Sequence, residues 1–73
     1  MATQIVMDNG GDSRYNFDPA NNLELLKAEQ RFNELTGLGF TAAVRTAAGE
    51  PHLIRRFDPA AEETLFFPRL VGG

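Results

Sequence analysis

The sequence predicts a small α+β domain in which a mixed sheet of four to five strands carries one helix across one face. Three observations predict it. Short β-branched or alternating apolar runs recur along the chain, a single stretch with three- and four-residue apolar spacing lies between the second and third of them, and turns rich in Gly, Asn and Pro separate the runs. Each such element has one apolar face to hide, and a sheet with one helix laid over it hides them all. A chain of 73 residues makes one domain. At this size only about 60% of the surface of the unfolded chain is buried on folding. With no cysteine in the sequence, disulfides and thiolate metal sites contribute nothing to its stability.

The elements follow in order. Thr3–Met7 is an apolar, β-branched run and reads as the first strand. Asp8-Asn9-Gly10-Gly11-Asp12 supplies a hairpin turn, with Asn9-Gly10 as the pair that tolerates positive φ. In Ser13–Phe17 the alternation puts Tyr15 and Phe17 on one face, Tyr15 reading as core with its hydroxyl at the rim. Asp18-Pro19 ends this strand and opens a helix, with Asn21 or Asn22 as the alternative cap. Leu25, Ala28, Phe32 and Leu35 then form one apolar stripe. Gly37 is the expected left-handed stop, with Leu38 folding back on the last turn.

Phe40–Arg45 alternates again, with Phe40, Ala42 and Val44 inward. His52–Phe57 is the fourth strand, and Leu53 with Phe57 competes with Ile54 for the core. Phe57-Asp58-Pro59-Ala60 repeats Phe17-Asp18-Pro19-Ala20; Asp-Pro used twice as a helix opener explains the echo, with at most one helical turn over Ala60–Glu63. The closing run from Thr64 is the fifth strand, in which Pro68 removes a ladder donor and must lie near the end or face solvent. The first and last strands are the most continuously apolar, which places them side by side in the middle of the sheet.

Charge and motifs exclude several functions. The net charge of −3 opposes general nucleic-acid binding, which needs a cationic surface. No apolar run approaches the roughly 18–20 residues that span a bilayer, and no signal peptide is visible, so a cytoplasmic, non-membrane protein is expected. Asp8–Asp12 lacks the spacing of a calcium loop. His52, the only histidine, has no second good ligand for a transition metal. Glu62 and Glu63 point apart as neighbours. Arg45, Arg55 and Arg56 either gather to hold an anion or pair with carboxylates across strands, the commoner outcome. No nucleophile with its base and no phosphate loop is present, so no enzyme activity, no metal and no cofactor are expected. Lys27 is the only lysine; the other six cations are arginines.

The element order resembles the β-grasp fold of the ubiquitin-like family, and the two ends carry the likeness. The chain opens Gln4-Ile5-Val6, passes through a Gly-containing hairpin into a Pro-flanked helix, and closes on a strand beginning Thr64-Leu65 that runs out in Leu70-Val71-Gly72-Gly73, where ubiquitin ends Leu-Arg-Gly-Gly. The chain departs from that pattern in its short connection between the fourth and fifth strands. It also departs in Pro68, and in an arginine that stands at Arg69 instead of directly before the glycines.

The resemblance implies a bacterial-type ubiquitin-like modifier or carrier. Residues 1–70 would form the domain and 71–73 a flexible C-terminal tail. Gly72 and Gly73 would be the conjugation site. An activating enzyme would adenylate the Gly73 carboxylate with ATP, take it as a thioester, and pass it to a target protein's amine or to sulfur. Glycine suits such a tail because a Cβ would obstruct a narrow channel. Recognition is expected at Leu53 or Ile54, whichever points outward, flanked by Arg55 and Arg56, with Arg69 and Leu70 leading to the tail. A monomer is expected. The alternative is a non-enzymatic interaction module, homodimeric through a strand edge or through Phe66–Val71, in which the glycines are incidental.

Overall fold

The computed structural model describes residues 1–45 and 49–68. Five strands and one helix follow in the order β1 (Ala2–Asp8), β2 (Gly11–Phe17), α1 (Asn22–Gly37), β3 (Phe40–Arg45), β4 (Pro51–Ile54) and β5 (Glu63–Pro68). The sheet order is β2-β1-β5-β3-β4. β1 and β5 are parallel, with Ile5 opposite Leu65 and Val6 opposite Phe66, and the other three pairings are antiparallel. The first and last strands therefore meet in the sheet's middle, as their apolar character predicts. The fold is a small α+β domain: a five-stranded mixed sheet with one helix packed on it.

The core lies between α1 and the face of the sheet formed by Ala2, Gln4, Val6, Phe17, Ala42, Val44, Thr64 and Phe66, all buried. Ala28 and Phe32 of the predicted helical stripe are buried, and Leu25 and Leu35 pack at its margins. Four phenylalanines from four segments form a chain of ring contacts. Phe66 meets Phe32 at 5.7 Å, Phe32 meets Phe57 at 6.0 Å, and Phe57 meets Phe17 at 6.2 Å between centroids, in tilted or edge-on geometry. These separations fall where the positive edge of one ring meets the negative face of another.

Several local expectations are corrected. In the first hairpin the positive φ falls on Gly11 (117°), and neither Asn9 nor Gly10 has one. Asp8 instead stabilises the turn, its Oδ1 accepting from the Gly10 amide at 2.7 Å. The helix starts one turn after Asp18-Pro19. Asn21 is its cap, accepting from the amides of Leu23 (3.0 Å) and Glu24 (3.2 Å). The reversal after the helix belongs to Gly39 (φ 102°), because α1 continues through Gly37; Leu38 is left 76% exposed instead of folding back.

Tyr15 lies on the helix side of edge strand β2 but is 40% exposed, since the helix covers the centre of the sheet and not its rim. β4 stops at Ile54, and no helical turn forms over Ala60–Glu63. Ile54 and Phe57 both reach the core, because the chain bends at Arg55-Arg56 and the alternation of a strand no longer applies beyond it.

The repeated Phe-Asp-Pro-Ala motif has a common structure in place of a helix-opening role. In each copy the aspartate Oδ1 accepts from the alanine amide two residues on (Ala20 and Ala60, both 2.9 Å). Its carbonyl accepts from the amide three residues on (Asn21, 2.9 Å; Ala61, 3.2 Å). Each motif is thus a closed turn held by its own aspartate, with proline fixing φ at the second position. The turns aim Phe17 and Phe57 at one another.

Phe66→Ala removes a fully buried ring that touches Phe32, and is expected to lower the unfolding free energy by about 3–5 kcal/mol. Leu53→Ala, at a side chain 65% exposed, is expected to stay within about 0.5 kcal/mol of the parent. Urea denaturation of the three proteins checks both.

Candidate functional site

The helix covers one face of the sheet and leaves the other open. Register alone assigns the open face: Arg14, Ile5, Leu65, Ala43 and Leu53 form one row across the five strands. Thr41 and Phe67 lie opposite one another in the next row, and Met7 follows Ile5 on the same face two residues on. Ile5 and Ala43 are buried although they face away from the helix, Ile5 between Arg14 and Leu65 and the small Ala43 between Leu65 and Leu53. Leu53, at the outer end of the row, is 65% exposed.

Two residues of the row adjoining on the other side, Arg45 and Glu63, form an ion pair at 3.7 Å between Nε and Oε1. It is the only ion pair among the described residues. Its partners are 57% and 36% exposed, so it contributes at most about 1 kcal/mol.

The contest between Leu53 and Ile54 is resolved by β4's pairing with β3. Ala43 opposite Leu53 places that leucine on the open face, and Ala42 opposite Ile54 turns the isoleucine toward the helix, where it packs against Val6, Phe32, Ala42 and Phe66. Arg55 and Arg56 follow as an exposed pair at the bend. Leu53, Arg55 and Arg56 therefore stand together at one end of β4, while Ile54 anchors that end to the core. Arg45 is paired across the sheet and does not join them. Arg69, Leu70, Gly72 and Gly73, the rest of the expected site, lie outside the described residues, as does the boundary between the 1–70 domain and the 71–73 tail. Of the closing segment considered as a dimer contact, Phe66 is wholly buried in the core and Phe67 is half-buried on the open face; residues 69–71 lie outside the described residues.

The ends of β4 and β3 form a groove of about 540 Å³ between the helix C-terminus and the sheet edge. Thr36, Phe40, Thr41, Leu53, Ile54 and Arg55 line it. It exists because β4 is shorter than β3: β4 pairs with Ala42–Arg45 only, and Phe40 and Thr41 pair with β5 on one side and with no strand of the described residues on the other.

The sequence reading missed a second polar constellation. Gln4 is fully buried on β1 and lies between sheet and helix. Its Nε2 donates to the Ala28 carbonyl at 3.0 Å, and its Oε1 accepts from Arg31 Nη1 at 2.8 Å. The Arg31 guanidinium also lies over the Tyr15 ring, 4.1 Å from its centroid. The available signal was a lone glutamine inside an apolar strand, which must find partners if it is buried. No buried side-chain polar atom is left without a partner among the described residues.

His52 is exposed on β4, and the described residues contain no group of three or more His, Cys, Asp or Glu side chains placed to hold a metal ion. Among them no helix is long and apolar enough to cross a membrane. No family model, no curated protein and no solved structure matches the chain.

Gln4→Ala strands the charged Arg31 fork and removes the side-chain link to the helix, and is expected to cost about 1–3 kcal/mol. Arg31→Ala in the Gln4→Ala background is expected to cost less than Arg31→Ala alone. A double-mutant cycle measured by thermal unfolding checks the coupling.

Proposed function

We propose that the chain is a ubiquitin-like carrier or modifier of the β-grasp type, acting through the carboxylate of Gly73. The observation that carries this reading is the place of the final glycines: they follow β5, a strand paired on both sides, in a sheet of order β2-β1-β5-β3-β4 with the helix crossing between β2 and β3. A strand held by two neighbours is a rigid mount, and a glycine carboxylate carries no Cβ that would obstruct its approach to a narrow site.

On this reading the body is recognised and the partner supplies catalysis. The Gly73 carboxylate oxygen attacks the α-phosphorus of ATP, and pyrophosphate leaves. A thiolate of the activating enzyme then attacks the acyl carbon and AMP leaves. Finally an amine, or a sulfur acceptor, displaces the enzyme thiolate. Exposed Leu53 with Arg55 and Arg56 supplies the recognition surface, and Ile54 holds that surface in place.

The test is pyrophosphate exchange into ATP with the chain as substrate of an adenylating enzyme of the ubiquitin-activating type. The full chain is expected to support exchange. The form lacking Gly73 is expected to lose it while its unfolding free energy stays within about 0.5 kcal/mol, since a solvated terminus contributes little. Equal exchange by both forms would sink the reading.

A further inference from the structure

We infer that the groove at the end of β4 docks an extended, acidic segment of a partner protein, one carrying a bulky apolar side chain between carboxylates. The inference names the partner chemistry of the recognition surface and rests on the carrier reading only for which protein brings the segment.

Three observations meet at this place. The first is backbone. Among the described residues no strand lies on the outer side of Phe40 and Thr41, because β4 ends opposite Ala42. An incoming extended segment can lie along that uncovered edge, the mode in which a peptide adds a strand to a sheet.

The second is shape and polarity. The groove of about 540 Å³ wraps the sheet edge, lined by Phe40 and Ile54 on the helix side and by Thr41 and the 65% exposed Leu53 on the open side, with Thr36 from the helix. That suits one bulky apolar side chain.

The third is charge. Arg55 lines the groove and Arg56 adjoins it, both exposed, and neither has a carboxylate within ion-pair distance among the described residues. Of the other described arginines, Arg45 pairs with Glu63 and Arg31 is held by Gln4 and Tyr15, while Arg14 stands alone and exposed on edge strand β2, away from the groove. Two neighbouring guanidiniums with no ion-pair partner among the described residues, on a chain of net charge −3, form a local positive spot that complements carboxylates. The overall negative charge disfavours a nucleic acid as the source of the anion.

A random-peptide phage library selected on the immobilised full chain is the probe. Enriched peptides are expected to place Asp or Glu beside a Leu, Ile or aromatic residue. A synthetic copy of the best peptide, titrated into the ¹⁵N-labelled chain, should shift amides at Thr36, Phe40, Thr41, Leu53 and Arg55. Its affinity should fall about tenfold in the Arg55→Glu/Arg56→Glu variant, the order expected when two exposed ion pairs become repulsions. A peptide with lysines in place of the acidic residues should not bind.

Any of four outcomes overturns the inference: no enrichment, enriched peptides without acidic residues, amide shifts centred on β2 or the outer helix face, or unchanged affinity in the double variant. Displacement of the peptide by a single-stranded oligonucleotide at comparable concentration also overturns it. A thermal melt confirms that the double variant is folded, as expected for two exposed sites. Binding should be the same in the form lacking Gly73. Failure of the groove and failure of the carrier reading are therefore read in separate experiments.

Discussion

The structure depends on one long-range pairing, the parallel contact of β1 with β5. Nothing local brings these segments together. They are separated by nearly the whole chain, and a parallel pair cannot be joined by a tight turn. The register Thr3–Val6 against Glu63–Phe66 decides which residues of both strands face the helix. A slip of one residue would reverse one strand against the other, turning out either Gln4 and Val6 of β1 or Thr64 and Phe66 of β5. Gln4 opposes such a slip. In the observed register its amide meets the Ala28 carbonyl and the Arg31 guanidinium; a slip that turns β1 over loses both bonds.

The aromatic chain closes what this pairing opens. β4 leaves the sheet at Ile54 and the chain must return to the start of β5, passing the side of the core that neither helix nor sheet covers. Phe57 fills that side and touches Phe17 and Phe32 at once. The two Asp-Pro turns matter here because they set the direction of the backbone as it leaves each of these rings. A closed turn held by its own aspartate lowers the number of conformations open to the segment, which helps a chain with no disulfide and a small core.

The broad architecture was legible because it is written in apolar spacing. The stripe through Ala28 and Phe32, the hairpin of β1 with β2, and the central placement of the first and last strands all follow from which residues avoid water. Turns were less legible, since several residues can do each task. Gly10 and Gly11 are equal candidates for positive φ on paper, as are Gly37 and Gly39, and only the register of the flanking elements chooses between them. Leu53 and Ile54 could not be ranked from alternation, because β4 ends one residue later and the next core residue, Phe57, obeys a bend instead of a strand. The polar bridge through Gln4 needs three elements in contact before it exists at all. The groove was illegible for a related reason: it arises from a difference in length between two paired strands.

The distribution of cations fits the same division of labour. Arg31 occupies a place that a lysine would fill poorly. A planar guanidinium can donate to Gln4 Oε1 while lying flat over Tyr15, whereas an ammonium is a compact, strongly hydrated point charge. At Arg45, Arg55 and Arg56 no such geometry excludes lysine, so another constraint is needed to explain why arginine is used there too. Under the carrier reading one is at hand. A thioester at Gly73 would be attacked by neutral amines, and a lysine is deprotonated often enough to serve, while a guanidinium stays protonated throughout the physiological range. Arginine would keep the positive charge that the proposed recognition uses and remove the nucleophile that would consume an activated chain. The single lysine, Lys27, stands exposed on α1. The sheet's open face and the groove at the end of β4 thus carry charge without any side-chain amine among their described residues.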